Sequence, residues 1–265
     1  MTHIKDAIES ADNPLGTWIS VGHPTIAEAT AQLDLDFLLV DMEHTTMDLE
    51  TIESMARGVD AAPGDTDMIV RVPWNDPVRL KRVIDIGVAG VMVPMVGSAE
   101  EAEELVRSLR YPPDGIRGIA GSRATRYGKN FEEYVTSANG SILTIAQIET
   151  ERGMENAQEV AAVEGIDSLF VGPADLSGSL GMFAEWDSAE FDEAVQSIID
   201  DGHAADVPVG TLTTDIGADA IESRVDQGFD FLIAGKDVAL LMDSVEVAID
   251  NYADALDKPV SASDD

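Results

Sequence analysis

Four short segments carry side chains able to do acid–base, electrostatic or metal chemistry. They are Asp41-Met42-Glu43-His44, Arg71-Val72-Pro73, Gln147-Ile148-Glu149-Thr150 and Gly172-Pro173-Ala174-Asp175-Leu176-Ser177. Each follows a short apolar run, where a charged group is costly unless it is paired or coordinated. Glu149 and Asp175 are two oxygen donors in a chain with no cysteine. With water completing the shell, such a pair suits Mg²⁺, Mn²⁺ or a similar divalent ion such as Co²⁺. The alternative is that each carboxylate caps a helix or pairs with an arginine. Asp175, just ahead of Leu-Ser, has the place of an N-cap. Arg71 interrupts the run Ile-Val-Arg-Val-Pro and must meet an anion. That anion is either a carboxylate of the fold, in a structural ion pair, or a substrate oxygen held by the guanidinium fork. His44 has Asp41 three residues before it, placed to orient the imidazole as a general acid–base pair. Two other readings stay open: Asp41, Glu43 and His44 themselves bind a metal, or His44 caps a helix. Of the other histidines, His23 either faces the same site or serves a turn, and His3 and His203 receive no role.

The apolar runs that precede these segments belong to a larger series. Candidate strands lie at 16–21, 37–40, 67–72, 90–94, 142–148, 168–171, 207–212 and 229–234. They are continuous rather than alternating, as expected of strands buried on both faces of a parallel sheet. Helical spacing fills the intervals at 78–86, 99–109, 156–163, 191–204, 216–227 and 238–255. Eight strand-and-crossover units in 265 residues predict a single α/β domain, a closed (β/α)8 TIM barrel over 1–257. The last stretch, 258–265, is polar and reads as a disordered tail. In such a barrel the loops after the strands share one face, so an arginine, a histidine and two carboxylates from four strands converge on one mouth.

The balance of 51 acidic against 16 basic residues gives a net charge of −35. The acids are spread through amphipathic segments, so the pattern is that of a folded protein with an acidic surface, as in salt-adapted (halophilic) cytoplasmic enzymes. Such a surface repels nucleic acid and anionic lipid. The absence of cysteine excludes disulfides, thiolate catalysis and sulfur-ligated zinc or iron. The first residues lack an apolar signal region and no run of 18 apolar residues occurs, so neither secretion nor membrane spanning is expected.

Read in order, Asp41-x-Glu-His44, Arg71-Val-Pro-Trp-Asn-Asp76, Gly90-Val-Met-Val-Pro-Met-Val96, Arg110-Tyr-Pro-Pro-Asp-Gly-Ile-Arg-Gly118, Gln147-Ile-Glu-Thr150 and Phe170-Val-Gly-Pro-Ala-Asp-Leu-Ser177 resemble the HpcH/HpaI aldolase family, the class II pyruvate aldolases. The resemblance runs from about Gly16 to about Leu241. It implies a lyase that joins or splits 4-hydroxy-2-oxo acids and pyruvate plus an aldehyde, such as 4-hydroxy-2-oxoheptanedioate or 2-keto-3-deoxy sugar acids. By this resemblance Glu149 and Asp175 bind the divalent metal, and Gln147 supports its shell. Arg71 offsets the enolate charge. His44, backed by Asp41, moves the proton of the C4 hydroxyl. The backbone of Gly172, Pro173 and Ala174 cradles the pyruvate carboxylate. It further implies a homo-oligomer, a hexamer by preference, with the C-terminal helix exchanged between neighbours. The apolar residues within 238–255 exceed what one helix face buries; the plainer reading is that this helix closes the bottom of its own barrel.

The chain departs from the family at Arg123 and Arg126, after Gly121-Ser122, and at Gly-Thr-Leu-Thr-Thr-Asp after the seventh strand. Both regions are expected to border the aldehyde half of the pocket, which leaves the aldehyde open. Asp85, Ser122, Arg123 and Leu212 are therefore candidates for supporting the site or choosing the substrate. Lys236, after the eighth strand, is the one lysine placed for a competing imine mechanism. Two rival functions are a citryl/malyl-CoA lyase, for which no basic surface suited to coenzyme A is evident, and a catalytically silent binding or scaffold barrel.

Overall fold

Strands built of consecutive apolar residues need cover on both faces, and a closed barrel supplies it. The computed structural model describes residues 3–10 and 12–257. The chain runs α1 (His3–Glu9), β1 (Leu15–Ile19), α2 (Pro24–Thr30), β2 (Phe37–Asp41), α3 (Leu49–Ala61), β3 (Asp67–Arg71), α4 (Pro77–Ile84), β4 (Gly90–Val93), α5 (Ala99–Leu109) and α6 (Phe131–Ser141). It continues through β5 (Leu143–Ile148), α7 (Glu151–Glu155), α8 (Ala157–Ala161), β6 (Ser168–Val171), α9 (Pro173–Ser179), α10 (Ala189–Ala204), β7 (Val209–Thr213), α11 (Ala218–Gln227), β8 (Phe231–Lys236) and α12 (Asp237–Asp257). All eight strands are parallel and pair in sequence order, with β8 returning to β1. The predicted (β/α)8 barrel is the observed fold. The expected tail at 258–265 lies outside the described residues.

Alternation along each strand sorts the side chains into two cores. Leu38, Val40, Val70 and Val91 face the helices, while Trp18, Phe37, Leu39, Ile69, Phe170 and Phe231 fill the barrel. The large interior rings leave no room for a neighbour's Cβ: one built on Gly16 would lie 2.5 Å from the Phe37 ring. Many crossovers are started by a capping side chain, with Asp48, Asp76, Ser98, Thr150 and Ser188 each accepting from a backbone N–H of the first turn. His23 is another such cap, its ring accepting from the Thr25 N–H at 3.2 Å; this is the turn role rather than the site-facing one.

The bottom of the barrel is closed by α1, not by the C-terminal helix. Ile4 and Ile8 complete the interior core, and buried Lys5 pairs with Asp167 at 2.8 Å. Strand patterning could not announce this short amphipathic plug. The last helix behaves differently: α12 leaves β8, rests mainly on β1 and β8, and has Leu241, Val245, Ile249 and Leu256 at least half exposed. None of the residues of α11 is buried either. Among the described residues no helix is long and apolar enough to cross a membrane.

Candidate active site

The C-terminal ends of β2 and β3 stand in register, Asp41 opposite Arg71. Both side chains point into the barrel mouth and are almost fully buried. The Arg71 Nε–H donates to Asp41 Oδ1 at 2.9 Å, and Nη2–H donates to Oδ2 at 2.8 Å. Nη1 lies 2.8 Å from Glu43 Oε2, an ion-pair contact without an aligned hydrogen bond. The guanidinium is stacked on the Trp18 indole, 4.5 Å from Cζ to the ring centroid. Burial alone would raise the Asp41 pKa; the Arg71 hydrogen bonds and charge, with the Glu43 and His44 N–H groups, outweigh it and hold the carboxyl below its usual range.

The expected pairing of Asp41 with the His44 imidazole is not what the structure shows. Asp41 is consumed by Arg71 and reaches His44 only through the backbone N–H, at 3.5 Å. The imidazole stands out into the mouth, 65% exposed, with Glu43 as its nearest carboxylate at 3.8 Å from Nε2. A three-residue offset at a strand end turns the second side chain out of the barrel, so spacing alone gave the wrong partner. The structural ion pair weighed for Arg71 is present, and it uses two carboxylates at once.

Across the mouth, Glu149 follows β5 and is buried. Its Oε1 accepts from the Met95 N–H at 2.9 Å and its Oε2 from Gln147 Nε2 at 2.7 Å. Met95 offers that N–H from a left-handed backbone, φ 59°, a conformation costly for a side chain of this kind and often found at functional sites. Burial pushes the Glu149 carboxyl up to about 7; the charges of Glu43 and Asp175 add to this, and the Met95 N–H and Arg71 oppose it. Gln147 Oε1 is buried without a partner. Gly172 makes room for this pair: a Cβ there would lie 2.7 Å from both Gln147 Nε2 and Glu149 Oε2. Asp175 is exposed in the first turn of α9; it is not the N-cap, a position held by Gly172. The N–H groups of that turn, at Ala174 and Asp175, receive no side-chain cap.

The mouth thus gathers Asp41, Glu43, Glu149 and Asp175 around one guanidinium, an excess of negative charge that a divalent cation would offset. Among the described residues no three His, Asp or Glu side chains are gathered closely enough to hold an ion by themselves. Two carboxylates plus water remain a suitable donor set, since ions of the Mg²⁺ type keep several waters. Glu149 and Asp175 fit that group.

Of the specificity candidates, only Leu212 lies on this side. It sits half-buried in β7 and lines a cavity of about 480 Å³ with Pro173, Ala174, Trp186 and Asp215. Asp85 and Arg123 lie at the other end of the barrel, and Ser122 and Arg126 lie in the same segment as Arg123. Asp85 caps the end of α4 and pairs with buried Arg117 at 2.8 Å. Arg123 Nη1 donates to the Ile86 carbonyl at 2.6 Å, and Nη2 pairs with Asp60. These residues belong to the return path from β4 to β5, which a (β/α)8 topology puts away from its own mouth. Lys236 ends β8 opposite Trp18. Sequence reading gave no role to Trp18 or Met95. An aromatic residue near the top of an inward-facing strand was the available signal for the first; the second acts through its backbone and left none.

Residues 15–244 match the family described as HpcH/HpaI aldolase/citrate lyase. The chain is 40% identical over 240 residues to a 4-hydroxy-2-oxovalerate aldolase of Novosphingobium aromaticivorans, covering 88% of this chain and 87% of that protein. It is 34% identical over 251 residues to a 5-keto-4-deoxy-D-glucarate aldolase of Shigella sonnei, covering 94% and 95%. A crystal structure of an HpcH/HpaI aldolase/citrate lyase family protein from Burkholderia cenocepacia J2315 superposes with a TM-score of 0.91 at 32% identity, over 96% of this chain and 100% of that one. With the match spanning the barrel and every segment of its mouth, the chain belongs to the HpcH/HpaI aldolase/citrate lyase family.

Proposed function

We propose that this chain is a divalent-metal-dependent aldolase, a carbon–carbon lyase of the class II kind, acting on 4-hydroxy-2-oxo acids and yielding or using pyruvate and an aldehyde. The observation that carries the reading is the mouth itself: Glu149 and Asp175 beside an arginine whose fork is tied down while two of its N–H groups stay free. Of five guanidinium protons, two go to Asp41 and one faces Glu43. The protons left on Nη1 and Nη2 can donate to a developing enolate oxygen. A divalent ion held by Glu149 and Asp175 supplies Lewis acidity toward the keto group. Gln147 fixes the Glu149 carboxylate, and the uncapped first turn at Gly172-Pro173-Ala174 receives the oxo acid's carboxylate.

In the cleavage direction His44 takes the proton of the C4 hydroxyl, the C3–C4 bond breaks, and the electron pair moves into the enolate that Arg71 faces. Protonation at C3 completes pyruvate. Glu43, rather than Asp41, is the carboxylate beside the imidazole. The cavity at Leu212 and Trp186 adjoins the carboxylate cradle and takes part in choosing the aldehyde. A cytoplasmic, salt-adapted enzyme assembled as a homo-oligomer, with a hexamer favoured and α12 exchanged between neighbours, completes the proposal. The composition and the bare apolar side of α12 support it. Light scattering in molar KCl checks the assembly, since a mass of 28.2 kDa is that of one chain. For the activity, rigorous chelation should abolish pyruvate release and added Mg²⁺, Mn²⁺ or Co²⁺ should restore it. Undiminished turnover after chelation, with borohydride trapping at Lys236, would replace this mechanism by an imine.

A further inference from the structure

We propose that Lys236 selects the aldehyde half of the substrate by pairing with a carboxylate at its far end, so that an aldehyde acid is preferred to a neutral aldehyde of the same length. The inference rests on the aldolase reading and names the class of aldehyde it takes. β8 is irregular where it ends. Leu232 and Ile233 stand opposite Leu15 and Gly16, and then the register shifts, so that Lys236 stands opposite Trp18. The extra residue is a β-bulge, a device that re-aims a side chain. Strict alternation from Ile233, which faces the barrel interior, would turn Lys236 toward the helices. With the bulge it shares the inner face with its ladder partner Trp18, another interior residue. Gly235 takes the left-handed backbone that the bulge requires, φ 74°. The Thr17 hydroxyl secures it by donating to the Ala234 carbonyl at 3.0 Å.

The fold gives this lysine nothing to do. Partly exposed in a chain with 51 acidic residues, its Nζ makes no ion pair and no hydrogen bond among the described residues. The neighbouring carboxylate, Asp237, is already taken. It accepts from the Ser20 N–H at 2.9 Å, the Ser20 hydroxyl at 2.6 Å and the Val21 N–H at 2.7 Å. Those bonds tie the end of β8 to the end of β1, so the lysine stands on a fixed backbone. Arg71, which stacks on the same Trp18, is committed to Asp41 and Glu43. The oxo acid itself is served elsewhere, by Glu149 and the turn at Gly172. On the neighbouring β7, Leu212 stands opposite Ile233, deeper than Lys236 by three residues of β8. A chain leading over Leu212 toward solvent therefore meets an apolar surface first and an ammonium group last. That order fits an aldehyde whose carbon chain ends in a carboxylate. A lysine, a compact charge on a flexible stem, suits one terminal anion.

The test is addition of pyruvate to two aldehydes of equal length, succinic semialdehyde and butanal, by the full chain with Mg²⁺. It is run at the lowest KCl concentration that keeps the native circular dichroism spectrum, since salt screens such a pair. The wild type should favour succinic semialdehyde in kcat/KM. A charged hydrogen bond of this kind is worth about tenfold. Lys236→Met should therefore lower the ratio of the two kcat/KM values about tenfold, mainly through the KM of the acid, and Lys236→Arg should keep most of it. Lys129→Met, an exposed position far along the chain from the mouth segments, should leave the ratio as in the wild type. Binding supplies a second readout. With Mg²⁺ and pyruvate present, succinate should slow acetylation of Lys236 by acetic anhydride, followed by peptide mass spectrometry, and should not slow that of Lys129. The inference is overturned by a ratio that Lys236→Met leaves unchanged, by an equal loss for both aldehydes, or by acetylation of Lys236 that succinate does not slow. Failure of the aldolase reading looks different. The wild type would then show no metal-dependent exchange of the pyruvate methyl protons, or borohydride would trap pyruvate on Lys236, and either result removes this inference with it.

Discussion

Arg71→Met separates what the buried arginine does for the fold from what it does for the reaction. The substitution keeps most of the side-chain length and its packing on Trp18, but it strips Asp41 of both fork hydrogen bonds, 2.9 and 2.8 Å. Asp41 is fully buried, and removing one partner of a buried pair costs about 3–5 kcal/mol because the other charge is left uncompensated. At about 2–4 °C per kcal/mol for a chain of this size, the melting temperature should fall on the order of 10 °C. Turnover should fall as well, because the two free N–H donors are lost; one charged donor to an enolate is worth about 3–4 kcal/mol, or roughly 10²–10³ in kcat. The double variant Arg71→Met/Asp41→Leu removes the fork pair and leaves only the less buried Glu43 without its cation, and replacing a buried pair by apolar groups is often neutral. It should recover most of the stability and none of the activity. Thermal unfolding in fixed KCl and a pyruvate-release assay with saturating metal give both numbers. Recovery of turnover in the double variant would show that Arg71 is only structural, and a loss below about 1 kcal/mol in the single variant would contradict the buried pair itself.

Further outcomes follow from the same geometry. His44→Ala should impair cleavage while sparing exchange of the pyruvate methyl protons, which needs enolisation but no C4 hydroxyl; equal loss of both would assign His44 another task. Gly172→Ala should keep the fold and lose metal affinity, since its Cβ would press on Gln147 and Glu149 at 2.7 Å; calorimetric Mn²⁺ binding equal to wild type would show that those groups move aside. Because the folded Asp41 pKa lies below its ordinary 3.8, its contribution is present above that pH and is lost as pH falls through the lower folded value. The stability gap between wild type and Asp41→Asn should therefore hold near neutrality and close in acid below about pH 4; a gap that widens there would reverse the sign. With 51 acidic and 16 basic residues, melting temperature should climb from low to molar KCl as self-repulsion is screened, and a flat response would limit the acidity to a role in solubility.

The amino-acid sequence by itself determined the barrel, its strand order and the four segments of its mouth. Buried parallel strands are written as unbroken apolar runs, and a polar group at the end of such a run stands out against them. Thus β6 was read at the observed residues, and most other strand boundaries were read within a residue or two. The first barrel layer above the core was legible for the same reason: Arg71, Glu149 and Gln147 break apolar strings, and only a site or an ion pair tolerates that. The helices were read less completely: the short α2, α7 and α9, the weakly periodic α6 and the plug α1 escaped the reading, and so did α3, although Ile52, Met55, Ala56 and Val59 follow a helical spacing there.

What tertiary structure decided was which of these groups meet. Asp41 and His44 are near in sequence, yet β-strand geometry turns Asp41 inward to an arginine 30 residues away and leaves the imidazole outside. Asp85 and Arg123, credited to the mouth, lie at the opposite end, because the path between two parallel strands must return to the start of the next one. Met95 serves Glu149 through its backbone, and Trp18 serves Arg71 through a ring face. Neither contact depends on sequence separation. Burial, strand register and the direction of each Cβ are properties of the closed barrel, so the partners of a charge become fixed only when the barrel closes.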